Sequence, residues 1–194
     1  MFTKAEINAF YATHIVPYCR DPYLSVIRQV LCLLDAEGAC PSVLKNNFSD
    51  KSAYRVLQHT TLLEHSLHVA EQMAELVEKR GFYYAVCIIA ALGHDLGKLW
   101  RYAPGGYSRQ PHGETSWILV KRMILDVNQK KKGAGEEVVN NLVILALEAA
   151  IRHHHRNCLR GDIWRLLRAA DSRAREREYV IKPGMRALQG SDEL

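Results

Sequence analysis

No stretch of this 194-residue chain is apolar for long enough to span a bilayer, because charged residues interrupt every hydrophobic run. A membrane-embedded protein is thereby excluded as an expectation. The opening residues, Met1-Phe2-Thr3-Lys4-Ala5-Glu6, lack the basic-then-apolar order of a secretory signal. There is no CxxC pair: the five cysteines (Cys19, Cys32, Cys40, Cys87 and Cys158) are odd in number and widely spread, so the expected setting is a reducing cytoplasm rather than a disulfide framework. Internal repeats and long low-complexity tracts are also missing. Period-two alternation, the mark of half-buried strands, is scarce.

What is present is an ordinary globular mixture, 48% hydrophobic and 24% charged, of a length that suits one domain with one core. The formal net charge of +5 favours anionic partners such as phosphates or nucleic acid without specifying them. Arginines crowd the last quarter: Arg152, Arg156, Arg160, Arg165, Arg168, Arg173, Arg175 and Arg177. Interleaved with Glu176 and Glu178, most of them read as a solvated helix face, with one or two turned toward a ligand.

Helical spacing runs through nearly the whole chain. Phe2 to about Ile15 forms a short helix that Pro17 ends, and Pro22 to about Leu34 forms another, closed by Gly38 and Pro41. Pro41 to Lys51 reads as a loop. Thr61 with Glu64 three residues on is a capping box, opening a helix to about Arg80. The very apolar stretch from Phe82 to Leu99 is expected to be the buried central helix. A helix opens at His112 or Glu114 and runs through Val127 to a Lys-rich surface loop at Gln129–Gly135. Two more are expected from Glu136 to about His155 and from Asp162 to about Arg177. The predicted organisation is an all-α single domain, with residues 1–59 as a helical extension packed on the core, 60–180 as the principal domain and 181–194 as a flexible tail.

Seven of the nine histidines either interrupt apolar helical faces or adjoin such a position. His65 lies one turn into its helix. His94 and Asp95 stand side by side at the end of the central apolar run, and Lys98 lies one turn further. His112 opens a helix, His153-His154-His155 closes one, and Asp171 follows Leu166, Leu167, Ala169 and Ala170 on the last. Imidazole and carboxylate are costly to bury unless paired, and together they suit transition metals. Ligands drawn from separate helices meet naturally in a bundle core. Taken singly, each residue has a plainer reading: a hydrogen-bonded core histidine, a polar helix end, or Asp171 paired with Arg168 or Arg175. His68 is read that way, as a hydrogen-bonded histidine rather than a ligand. The ordered set is what points to a metal centre.

The order His65, His94-Asp95, Asp171 resembles the HD superfamily of metal-dependent phosphohydrolases. The supporting text is Leu63-Glu64-His65-Ser66-Leu67-His68-Val69-Ala70, Ala91-Leu92-Gly93-His94-Asp95-Leu96-Gly97-Lys98 and Ala169-Ala170-Asp171, and the likeness covers roughly Thr60 to Arg175. It implies an HD-type helical bundle. His112 with His154-His155, the pair standing three residues after Ile151, resembles the two-metal branch, which includes cyclic-dinucleotide phosphodiesterases and an RNA-cleaving subgroup. His153 is the misregistered alternative in that pair. By resemblance, one ion would be held by His65, His94, Asp95 and Asp171, and a second by Asp95 as bridge, His112, His154 and His155. Fe, Mn, Ni, Mg and Zn all tolerate such ligands.

Departures narrow the resemblance. The GYP signature that follows the His-His pair in the cyclic-di-GMP branch is replaced by Arg156-Asn157-Cys158-Leu159. Lys98 stands where several small deoxynucleotide 5′-monophosphatases have glutamate. The stretches Tyr23–Val43 and Tyr54–Leu63, with the Tyr102–Tyr107 loop, have some likeness to the HD-type domain of conjugative relaxases. The expected activity is hydrolysis of a phosphoester, a nucleotide or a phosphodiester, by a metal-activated water, with Asp95 and Lys98 catalytic. Lys98, Arg152 and Arg156 are expected to bind the phosphate, and Trp100, Tyr102 and Tyr107 are candidates to stack on a base. The expected partner is a phosphorylated small molecule or nucleotide. Nucleic acid and self-association stay open, and no membrane is involved. The alternatives are a non-catalytic HD module that binds nucleotide or nucleic acid, or a relaxase-related DNA-processing domain.

Overall fold

A computed structural model describes residues 2–45, 56–79, 81–156 and 161–189, with side chains described through residue 180. Within them lie seven α-helices and no strand: α1 (Ala5–Phe10), α2 (Tyr23–Glu37), α3 (Leu62–Leu76), α4 (Gly81–Gly93), α5 (His112–Gly133), α6 (Asn141–Arg152) and α7 (Asp162–Gln189). A π-turn (Tyr11–Ile15) continues α1, and 3₁₀ turns occupy Leu96–Lys98 and Pro104–Gly106. The all-α bundle is as the periodicity predicts. Cys158, Arg160, the segment 46–55 and residues 190–194 lie outside the described residues.

The centre of the bundle is α4. From Tyr84 to Gly93 every residue is buried, because Ala, Val, Cys, Ile and Leu leave it no polar face to show to water. It packs against α2, α3, α6 and α7, while α5 lies along α6 and α2. One continuous core joins Ile27, Leu31 and Leu34 of α2, Met73 of α3, Ile88 and Leu92 of α4, Ile124 of α5, Leu147 of α6 and Leu167 of α7.

The capping box forms as read. Thr61 Oγ1 accepts from the Glu64 N–H at 3.1 Å, and Glu64 Oε2 accepts from the Thr61 N–H at 2.7 Å. Ahead of it, the segment Gly38–Ser42 pairs backbone to backbone with the start of α3: Leu63 N–H to Gly38 O, Leu62 N–H to Cys40 O and Ser42 N–H to Thr60 O. This places Ser42, fully buried, beside the polar centre of the bundle.

Five boundaries differ from the sequence reading. The central helix stops at Gly93 rather than Leu99, so His94 and Asp95 sit in the turn after it and Lys98 closes a 3₁₀ turn. α3 stops at Leu76 rather than near Arg80, with Val77 extended as its C-cap. α5 continues through the expected Lys-rich loop to Gly133, and α6 starts at Asn141 instead of Glu136, where the Asn140 side chain accepts from the Val143 N–H. α7 continues past Arg177 to Gln189. No helix among the described residues is long and apolar enough to cross a membrane.

Candidate metal centre

Two close approaches bring the polar residues together. Gly97, in the turn after α4, lies so tightly against the first turn of α5 that a Cβ there would overlap the His112 carbonyl. A Cβ on Gly113 would come within 2.8 Å of the Arg152 carbonyl at the end of α6. The Ser116 hydroxyl stitches the first junction, accepting from the Gly97 N–H at 2.8 Å and donating to His112 O at 2.8 Å. The end of α4, the start of α5 and the end of α6 therefore converge, and α3 and α7 close the opposite side.

Asp95 is at the middle, 1% exposed. Its Oδ2 lies 3.3 Å from His94 Nε2 and 3.5 Å from His65 Nε2, and His65 Nε2 lies 3.2 Å from Asp171 Oδ1. Its Oδ1 lies 3.2 Å from His112 Nε2 and 3.5 Å from His154 Nε2. The ligand atoms of His65, His94 and Asp171 form one group and those of Asp95, His112, His154 and His155 another, with all atoms of each group within 4.8 Å of one another. One carboxylate thus faces both groups, a different oxygen to each.

The hydrogen bonds fix which ring nitrogens face inward. A backbone carbonyl can only accept, so His94 Nδ1 donates to Ala91 O (2.8 Å) and His154 Nδ1 donates to Ile151 O (2.7 Å). Glu178 Oε1 takes His65 Nδ1 at 2.9 Å and His68 Nδ1 at 3.0 Å. In the neutral rings, the Nε2 lone pairs of His65, His94 and His154 therefore all face the cluster. His112 Nε2 is 3.3 Å from His154 Nε2 and 2.9 Å from His155 Nε2, so three ring nitrogens crowd together. His65 Nε2, His94 Nε2 and Asp95 Oδ1 are buried with no hydrogen-bond partner. Buried polar atoms of this kind are rare without a reason. Ligand atoms about 2.1 Å from a shared cation stand roughly 3.0–3.5 Å apart, the spacing observed between Asp95, His65, His94, His112 and Asp171. The donor set and its orphaned atoms fit one or two divalent ions.

The electrostatics keep the two carboxylates ionised and His112 neutral. Burial opposes ionisation of Asp95, yet His94, Lys98 and the nearby His112 and His154 outweigh it and hold the carboxyl well below the usual range. Burial likewise opposes ionisation of Asp171, but the close approach of His65 and the nearby His94 keep it low. Burial, with Lys98 nearby, pushes His112 down to about 4, leaving its imidazole neutral and able to ligate.

Of the residues read from sequence, His65, His94, Asp95, His112, His154, His155 and Asp171 meet here, and His153 stays outside the two groups. Lys98 is buried and bonds Asp95 Oδ2 at 2.5 Å and Ser42 O at 3.0 Å. Arg152 pairs instead with Glu114 and Glu148, and the Arg156 side chain is exposed. Among the described residues no ion pair joins either one to the cluster. Trp100 and Tyr107 are exposed, with Lys45 over the Tyr107 ring, while Tyr102 packs partly on the core. Sequence reasoning missed Glu178, placed there among the solvated charges but 1% exposed in the fold. The signal was its register: Leu167, Ala170, Asp171, Ala174 and Glu178 repeat at helical spacing along one face.

No curated protein and no solved structure matches the chain significantly. A family profile does: the HD domain, over residues 62–181, which span α3 through most of α7 and contain every residue of both ligand groups. With an all-helical bundle, an ordered His, His-Asp, Asp set and that match over more than half its length, the chain belongs to the HD domain family.

Proposed function

We propose that this protein is a metal-dependent phosphohydrolase that cleaves a phosphoester, a diester by preference, at a two-ion centre. The observation that carries the reading is the division of Asp95, with Oδ2 toward His65, His94 and Asp171 and Oδ1 toward His112, His154 and His155. His65, His94, Asp95 and Asp171 would hold one ion, and Asp95, His112, His154 and His155 the other. Ions bound there would lower the pKa of water and polarise the phosphoryl group.

The protein's own groups do the rest. Glu178 and two backbone carbonyls hold three imidazoles with Nε2 inward, so the donor set is preorganised and needs little rearrangement. The Lys98 ammonium beside Asp95 offsets negative charge at the shared carboxylate. His155, Asp171 (23% exposed) and Arg175 (18% exposed) are the residues here that reach solvent. The test is elemental analysis plus hydrolysis of bis(p-nitrophenyl) phosphate. Wild type is expected to carry one to two divalent ions per chain and to turn over in Mn²⁺, and Asp95→Ala to lose both. Metal-free, inactive wild type, or an Asp95→Ala variant as active as wild type, would refute the reading. Metal and nucleotide binding without product would favour a sensing module.

A further inference from the structure

Among the arginines of the last quarter, Arg175 has different surroundings. Its Nη1 donates to Glu178 Oε2 at 2.8 Å and to Ser42 Oγ at 2.8 Å, and its Nη2 donates to Ser42 O at 3.0 Å. These bonds use the Nη1/Nη2 end of the guanidinium. Nη2 also lies 3.9 Å from Asp95 Oδ2, so the guanidinium stands beside the shared carboxylate. Among the described residues no hydrogen bond engages Nε. The side chain is 18% exposed, whereas both of its anchors are buried. Lys98 donates to the same Ser42 carbonyl at 3.0 Å, which holds two cations next to each other.

A rigid guanidinium with one free two-donor edge matches two oxygens of a phosphoryl group. We propose that Arg175 binds the phosphoryl group of the substrate through its Nε/Nη2 edge, with Glu178 and Ser42 as positioning residues that fix the guanidinium. This rests on the phosphohydrolase reading for the nature of the ligand. It assigns to Arg175 the task that sequence alone gave to Arg152 and Arg156, both of which stand clear of the cluster. It also makes the Gly38–Ser42 segment, outside the matched residues 62–181, part of the substrate site.

The experiment uses the full chain loaded with Mn²⁺ and inorganic phosphate as probe, with binding followed by calorimetry and metal content by elemental analysis. Arg175→Met is expected to keep the wild-type metal content and to bind phosphate roughly ten- to a hundredfold more weakly, the range for losing charge-assisted hydrogen bonds. Arg175→Lys keeps the charge but not the fork and should fall between the two. Ser42→Ala keeps the backbone acceptor, loses the hydroxyl, and should weaken phosphate a few-fold. If Arg175→Met fails to fold, the latter two variants decide the matter. Wild-type phosphate affinity in Arg175→Lys and Ser42→Ala, or no phosphate binding by metal-loaded wild type, would overturn the inference. So would loss of manganese in step with phosphate, which would mark Arg175 as a structural support. Phosphate binding that depends on Arg175 without any turnover would leave the inference standing and remove the hydrolase reading.

Discussion

Glu178 shows how a residue that ligates no ion can govern a ligand that does. One of its oxygens takes His65 and His68 and the other takes Arg175, at 2.8–3.0 Å, from a site 1% exposed to solvent. Burial opposes its ionisation, but these partners outweigh it and hold the carboxyl below its ordinary range, so it is an acceptor at neutral pH. Its charge fixes the His65 tautomer and strengthens that ring as a donor to a cation. Glu178→Gln preserves shape and removes the charge. It is expected to weaken divalent-metal binding about 10–100-fold, measured by competition with a chromophoric chelator. An unchanged dissociation constant would show that Glu178 serves packing alone. The contrast with His65, His94 and Asp95 is instructive about legibility. Those residues break apolar stretches, so their oddity can be read from the text. Glu178 and Arg175 sit in a run dense with Arg and Glu, where a buried charge looks like its exposed neighbours until the helix face is known.

At the level of elements, the sequence discloses helices better than it discloses their ends. Thr61 and Glu64 mark the start of α3 correctly because the signal is a local hydrogen-bond pair. The end of α4 is misread because Leu92-Gly93-His94-Asp95-Leu96 keeps an apolar period while the backbone has already turned, with Asp95 at φ −110° and ψ 8°. That early stop has a consequence for the site. A continuous helix would place Asp95 on a helical face, whereas the turn places it between α3, α5, α6 and α7, where it can serve both ligand groups. The turn is kept by the contact of Gly97 with the His112 carbonyl. The added methyl of Gly97→Ala has no space to enter and would push α5 from α4, at a cost of about 1–3 kcal/mol. It should also separate His112 from Asp95. The expected result is a lower melting temperature together with loss of one of two bound ions. A destabilised variant that keeps its full metal content would show that the contact holds the fold and not the second ligand group.

For the whole molecule, the cluster is a junction between helices. Its ligands come from α3, the turn after α4, the first turn of α5, the residues after α6, and the middle of α7, positions that span more than a hundred residues of sequence. Without a cation, several imidazole lone pairs and Asp95 Oδ1 are buried and unsatisfied at that junction, which weakens the native state. A cation that binds only the assembled site stabilises the fold by mass action, about 2.7 kcal/mol at a hundredfold excess over its dissociation constant. For a chain of this size roughly 2–4 °C accompanies each kcal/mol, so Mn²⁺ or Zn²⁺ at that excess should raise the melting temperature by roughly 5–10 °C, and chelation should reverse the rise. Asp95→Asn keeps the volume of the side chain but removes the charge that both ligand groups share. In that variant the metal-induced shift should shrink to near zero. The basal melting temperature of the chelated protein should also fall, because buried Lys98 loses the carboxylate it pairs with. A shift of wild-type size in Asp95→Asn would show that the ions bind elsewhere and that Asp95 is not the bridge between them.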